Sequence, residues 1–267
     1  MMKNGWQLQL EADDEEAYAA FAADEIWNGY SIGDLVPPFC AHAQVALAAR
    51  GGAAAACLLL RQPELTVLIP SGDPDGLAAI LRAVDLPART YLLMQAPHRA
   101  AIEQVYVFSA APEPMLRMAL SVAAFRPAAG WEALAERLGP PDVPLLAALY
   151  ATYAASVFRA EQIAVGPVYG VRPQGQLIAA AGTHAFARPY GIAAIGNILT
   201  HPEHRGNGYA SAATSAVVAA LVAEGCRTVV LNVAQANATA QRVYTRLGFH
   251  AHCAYLEGVA TRRTAVA

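Results

Sequence analysis

The chain has 267 residues, of which 56% are hydrophobic and 15% charged, with a formal net charge of -3 at pH 7. That length suits about two ordinary domains of roughly 150 residues, and the composition can bury a large core, which excludes a disordered chain. So slight an acidity excludes the basic stripe with which nucleic-acid binders hold phosphates. The first residues, MMKNGWQLQLEADDEE, turn acidic where a secretory leader needs an apolar segment. The densest apolar run, 53–60 between Arg50 and Arg61, is far too short to span a bilayer. Cys40, Cys57, Cys226 and Cys253 are scattered without a CxxC pair and read as reduced, largely buried thiols. A globular cytoplasmic protein with no membrane or nucleic-acid partner is expected.

The first half opens with a predicted helix over 14–27, whose acidic start complements the helix dipole. Pro37-Pro38 breaks any helix after it. AQVALAAR (43–50) and AAAACLLLR (53–61), joined by Gly51-Gly52, read as two strands with a tight turn. LTVLIP (65–70) is a further strand, SGDPDG a turn or cap, and LAAILRAV (77–84) a helix. ARTYLLMQ (88–95) then reads as a strand and HRAAIEQVY (98–106) as a helix, so the half carries an α/β signature. RPAAGW (126–131) and GPPDVP (139–144) separate the halves, which puts the domain boundary at 126 and gives domains 1–126 and 127–267.

The second half starts with a helix that Asp142 is expected to cap, through LLAALYATYAASVF (145–158). VYGVR (168–172), LIAAAGTH (177–184) and GIAAIGNILT (191–200) are strands. A helix over 208–224 follows, with Ala210, Ala213, Val217, Ala220 and Leu221 at i, i+3, i+4 spacing and Gly225 at its end. TVVLNV (228–233) is a strand, ANATAQRVYTRL (236–247) a helix stopped by Gly248, and 254–260 a last strand. The fold class expected is α/β, a mixed central sheet flanked by helices, behind an N-terminal α/β domain.

HPEHRGNGYA (201–210) holds the most chemistry per residue. His201 and His204 do not make a metal site, since Pro202 lies between them and zinc needs three or four ligands in closed geometry. His250, His252 and Cys253 form only H-x-H-C near a strand start, so no metal is expected. A Rossmann fingerprint fails because Ser211 stands where its third glycine belongs and LNVAQAN offers no acid for a ribose. What fits is a pyrophosphate cradle. Gly206 and Gly208 let the backbone approach a bulky anion, the unpaired N–H groups of the helix start face it, and Arg205 adds charge. A plain glycine turn accounts for the loop equally well until the second motif, LNVAQANATAQRVYTRLGF (231–249), is added. There Asn237 and Tyr244 are seven residues apart, nearly two turns, and so share one helix face.

At these residues the sequence resembles the GNAT superfamily of acyl-CoA N-acyltransferases. Arg205-Gly206-Asn207-Gly208-Tyr209-Ala210 fits the superfamily's Q/R-x-x-G-x-G/A signature, and Asn237, Ala240, Tyr244, Gly248 and Phe249 fit its N-x-x-A-x-x-x-Y-x-x-x-G-F arrangement. The subgroup it looks most like is the one related to glycine N-acyltransferases, with a degenerate N-terminal half. That half shows no R-x-x-G-x-G/A of its own here. The resemblance implies that it binds no CoA and completes the acceptor pocket or a homodimer.

The resemblance also implies a chemistry. Acetyl-CoA, or another short acyl-CoA, would set its pyrophosphate on the amides of Gly206, Asn207, Gly208, Tyr209 and Ala210. Its pantetheine arm would pair with the backbone of Ile198, Leu199 and Thr200, with Asn237 helping to hold it. A primary amine, more readily that of a small molecule than of a protein, attacks the thioester, and a backbone N–H near Leu199 meets the oxyanion. Tyr244, a phenol of pKa ~10, would protonate a thiolate of pKa ~8.5. GIAAIGNILT carries no carboxylate to serve as base, and Glu203 on the loop faces solvent. His184 is the local candidate, with Asn197 positioning a water, and a water chain is the alternative. A non-catalytic CoA sensor on the same fold, or an enzyme for a longer acyl chain, competes with the acetyltransferase.

Overall fold

A computed structural model describes residues 1–3, 5–153 and 158–263. In the N-terminal part they form β1 (Met2–Lys3), β2 (Trp6–Gln9), α1 (Asp14–Phe21), α2 (Gly29–Gly33), β3 (Ala43–Arg50), β4 (Ala53–Leu60), β5 (Thr66–Gly72) and α3 (Pro74–Leu81). β6 (Arg89–Met94), α4 (Arg99–Glu103), β7 (Tyr106–Phe108), β8 (Glu113–Ser121), α5 (Trp131–Leu134), β9 (Ala135–Arg137) and α6 (Val143–Tyr150) follow. The rest is β10 (Tyr169–Val171), β11 (Ala179–Ala187), β12 (Ile192–Thr200), α7 (Tyr209–Ala223), β13 (Thr228–Ala234), α8 (Ala238–Arg246) and β14 (His250–Arg262). The fold is mixed α/β with largely antiparallel strands, as the sequence pattern predicts.

The chain divides into two compact units. One comprises Met1–Arg117, Ala234–Ala236 and Cys253–Ala267, the other Met118–Val233 and Asn237–His252. The proline-rich zone at 126 therefore lies inside the second unit, and the last strand, read from sequence as part of the second domain, mostly belongs to the first.

In the first unit β1 to β5 run as successive antiparallel neighbours. β6 lies parallel to β5, and the end of β14 pairs antiparallel with both β6 and β7. Trp6, Leu8, Leu59, Leu68, Leu77, Ile80 and Leu92 fill the core between sheet and α3. Both longer helices begin on side-chain caps, which satisfy N–H groups that have no intrahelical acceptor. Asp13 accepts from Glu16 N–H at 2.9 Å while Glu16 accepts from Asp13 N–H at 3.2 Å, a capping box. Asp73 accepts from the N–H groups of Asp75 and Gly76 at 2.9 and 3.0 Å, with Pro74 next in the chain.

Three local expectations change. The helix read over 14–27 stops at Phe21 and passes into a single 3-10 turn, where Asp24 accepts the Trp27 N–H at 2.9 Å and bends the chain. The helix read over 98–106 ends at Glu103, because Tyr106, fully buried, begins a strand of β-favouring residues. β2 and β8 were not foreseen. β8 contains Arg117, 0% exposed, whose guanidinium lies 4.5 Å from the Tyr30 ring centre, 5.2 Å from that of Trp27 and 5.7 Å from that of Tyr255. Aromatic faces here offset part of the cost of burying a cation.

In the second unit β9, β10, β11 and β12 are antiparallel neighbours, and β13 runs parallel to β12. α7 buries Ala212, Ala213, Ala216, Val217, Val218 and Leu221, small enough for close approach to the strands. Its end is a Schellman turn: Gly225 takes φ +88°, and the Cys226 N–H donates to the Leu221 carbonyl at 3.0 Å. The helix read over 145–158 ends at Tyr150, and 154–157 lie outside the described residues. Asp142 stands at the helix N-cap position, as expected, but makes no side-chain cap hydrogen bond. Its carboxylate accepts from Gly139 N–H at 2.9 Å and from Arg172 at 2.6 Å, contacts that hold its pKa below the usual carboxylate value.

Candidate active site

The centre of the second unit is set by where β12 loses a neighbour. β12 pairs with β13 from Ile192↔Thr228 to Ile195↔Leu231 and no further, while its pairing with β11 continues to Thr200. Gly196, Asn197, Ile198, Leu199 and Thr200 therefore leave β13 and keep one edge of backbone groups outside that ladder. Two irregularities lie beside the opening. Between Thr183↔Ile195 and Ala185↔Ala194 one extra residue, His184, enters β11. Between Gly182↔Gly196 and Ala180↔Leu199 an extra residue enters β12, where Asn197 adopts φ +51°. Bulges of this kind redirect side chains and commonly border active sites.

The two bulges meet. His184 hydrogen-bonds the side chain of Asn197, and the imidazole lies so close to Gly196 that a Cβ there would come within 2.7 Å of its Nε2. Burial is the main influence on His184 and lowers its pKa, against a smaller rise from the Asn197 bond, so the ring is neutral at pH 7. Asn197 also donates through Nδ2 to Gln162 Oε1 at 2.9 Å. Its backbone carbonyl accepts from the Tyr150 hydroxyl, whose ring stacks on Phe158 with centroids 4.8 Å apart. Tyr150 and Gln162 did not emerge from the sequence. Neither belongs to a motif, and the 3-10 turn Ala160–Ala164 that carries Gln162 has no periodic pattern.

From Thr200 the chain turns through Pro202–His204 into the glycine loop. His201 Nδ1 accepts the Glu203 N–H at 3.4 Å, and the His201 and His204 rings pack edge to face. Arg205 Nε donates to the Thr200 carbonyl at 3.3 Å, and Asn207 Nδ2 to the His204 carbonyl at 3.1 Å. Gly206 and Gly208 take φ +86° and +80°, and a Cβ on either would meet no atom within 4 Å. Gly208 is the N-cap of α7 and no side chain caps that helix, so the first N–H groups, those of Tyr209 and Ala210 among them, face outward. Donors, dipole, exposed Arg205 and open space converge on a site that a diphosphate fits.

α8 places the last two residues. Asn237 caps it, with Oδ1 accepting from Ala240 N–H at 3.0 Å, so its amide NH2 is the group that can donate to a ligand. Tyr244, buried, packs edge to face against Phe249 with ring centroids 6.0 Å apart. The structure thus joins His184 to Asn197 and Arg205 to Thr200 directly. Tyr244 stands on a separate element.

Residues 131–249 match the model of the Acetyltransferase (GNAT) family. Among solved structures, an acetyltransferase assigned to the GNAT family of Novosphingobium aromaticivorans is similar at TM-score 0.56 and 24% identity, over 77% of this chain and 92% of that one. A GCN5-related N-acetyltransferase from Sphaerobacter thermophilus is similar at TM-score 0.57 and 15% identity, over 98% and 97%. A tandem GNAT protein from the clavulanic acid biosynthesis pathway is similar at TM-score 0.56 and 15% identity, over 96% and 98%. At these identities the likenesses concern the fold. No curated protein matches the chain.

Strand splay, bulges and glycine loop all lie within the stretch that matches this acetyltransferase family model. The chain carries a GNAT-family acetyltransferase domain over residues 131–249.

Proposed function

We propose that the protein is a cytoplasmic N-acyltransferase that moves an acetyl group, or another short acyl group, from CoA to the primary amine of a small molecule. The observation that carries this reading is the loss of β12–β13 pairing after Ile195, directly before a glycine loop that opens an uncapped helix. The strand edge at Ile198, Leu199 and Thr200, outside the β12–β13 ladder, suits an extended amide-bearing arm. The N–H groups of Gly206, Asn207, Gly208, Tyr209 and Ala210, with Arg205, suit the diphosphate. Asn237 offers its NH2 to the arm. Among the described residues no helix is long and apolar enough to cross a membrane.

In this reading acetyl-CoA supplies the thioester, and the chain's residues move the protons. Neutral His184 accepts a proton from the attacking ammonium or its water, a backbone N–H near Leu199 stabilises the oxyanion, and Tyr244 protonates the thiolate. The first unit is assigned no CoA site.

Thiol release from acetyl-CoA, measured across amines, amino acids and aminoglycosides, tests the assignment. Tyr244→Phe and His184→Gln are each expected to lower kcat roughly 100-fold, within the range of a general acid or base, with CoA affinity unchanged. CoA binding without thiol release for any acceptor indicates a sensor. Failure to bind CoA sinks both readings.

A further inference from the structure

We propose that Gln162 is a positioning residue that fixes the tautomer of His184, acting through Asn197. The inference rests on the reading of His184 as the base, and it begins from a group whose polarity is unambiguous. The backbone N–H of Arg159 can only donate, and it lies 3.0 Å from Gln162 Oε1, which fixes the oxygen of that side-chain amide. The same oxygen is 2.9 Å from the Asn197 amide, so the group facing it is the Asn197 NH2. With the NH2 engaged there, we assign Asn197 Oδ1 as the atom that meets the imidazole with which this side chain is bonded.

An amide oxygen only accepts, so the His184 nitrogen that meets it carries the proton. A neutral imidazole has one N–H. The lone pair is therefore confined to the other nitrogen, and burial keeps the ring in that neutral form. The Asn197 backbone is fixed independently, which leaves Gln162 to set the orientation of its side-chain amide. That backbone is held in the left-handed region at φ +51°, and Tyr150 binds its carbonyl. The chain of donors Arg159 N–H to Gln162, Asn197 to Gln162 and His184 to Asn197 does for this histidine what a buried carboxylate does in a hydrolase triad: it selects the tautomer. Unlike a carboxylate, it adds no negative charge beside the ring. Burial and the Asn197 bond are the influences on its titration, and no charged group among the described residues adds to them.

Gln162→Met keeps the volume and removes the acceptor, and Gln162→Glu keeps an acceptor oxygen. In Gln162→Met the Asn197 amide is released to rotate and His184 loses its fixed acceptor. Expected is a 10- to 100-fold fall in kcat on the scale of a misplaced general base, with KM for acetyl-CoA within about twofold. The Asn197 bond raises the imidazole pKa, so losing it moves the acid limb of the kcat profile to lower pH. In Gln162→Glu kcat stays within a few-fold of wild type. Imidazole 15N shifts read the tautomer without turnover: one tautomer for wild type and Gln162→Glu, a mixture for Gln162→Met. Unchanged shifts and an unchanged pH profile in Gln162→Met overturn the proposal. Full activity in His184→Gln refutes the base assignment instead, and the 15N spectra still decide the role of Gln162.

Discussion

Gly206→Ala and Gly208→Ala, made together, are expected to weaken CoA binding about 100-fold or more while the domain stays folded. Each alanine must hold a positive φ, which costs about 1–2 kcal/mol per residue. Neither new methyl meets a protein atom within 4 Å, so no steric cost is added to that strain. On the proposed reading, the space it fills is where a diphosphate oxygen approaches the loop N–H groups. Charge-assisted hydrogen bonds contribute about 1.5–3 kcal/mol each, and the loss of one or two corresponds to about 100-fold in Kd. Gly248→Ala is the contrasting control. That glycine has φ +103°, and its Cβ would run into the Ala124 carbonyl oxygen, so the variant is expected to lose several kcal/mol of stability. Calorimetric titration with CoA and thermal melts separate the two outcomes. A loop double variant that binds CoA normally would make 205–210 a plain turn.

That contrast also marks what the sequence could and could not convey. Gly206, Gly208 and Gly248 look alike in a string of letters. Spacing placed the first two at a helix start and the third at a helix end, and only the backbone tells open space from a carbonyl. The strand TVVLNV was legible as a short β-branched apolar run of strand length, and the helix before it as a long apolar stretch closed by Gly225. β8 was not, because Arg117 interrupts EPMLRMALS with a charge that the fold buries among aromatic rings. The division of the chain was misplaced for a related reason: prolines at 126–144 mark loops, whereas the return of Cys253 and its successors to the first unit is a matter of tertiary pairing.

In the candidate site, the places of the glycine loop at the start of α7 and of Asn237 and Tyr244 on α8 could be read because each lies in a fixed local frame. The pairing of His184 with Asn197 could not. It depends on one extra residue in each of two adjacent strands, and a one-residue slip changes which face a side chain takes. Asn197 in a left-handed conformation is the trace such a bulge leaves in sequence, a turn-favouring residue inside an apolar strand.

Asp34→Asn is expected to stabilise the protein by about 2–4 kcal/mol at pH 8 and to leave it nearly unchanged near pH 4. Asp34 follows α2, is only 8% exposed, and burial pushes its pKa from 3.8 to about 8. A carboxyl whose folded pKa lies above its unfolded value is protonated in the folded state across the window from 3.8 to about 8. Folding then takes up a proton, so stability falls as pH rises through that window and levels off above it. Each pKa unit corresponds to about 1.4 kcal/mol, and structural relaxation around the ionised group brings the total into the range given. Asparagine keeps the shape and has nothing to titrate. His98 supplies the opposite slope: it is buried, donates from Nε2 to the Gly72 carbonyl at 3.0 Å, and has its pKa lowered chiefly by burial. Its contribution is complete above its unfolded value of 6.5 and is lost as pH falls below it. Melting temperatures measured from pH 4 to pH 9 should therefore decline between pH 6.5 and about pH 8 in the wild type, where Asp34 alone sets the slope, and fall only below pH 6.5 in Asp34→Asn, where the His98 loss is no longer offset. An alkaline decline of the same steepness in the variant would mean that Asp34 is ionised and solvated in the folded protein.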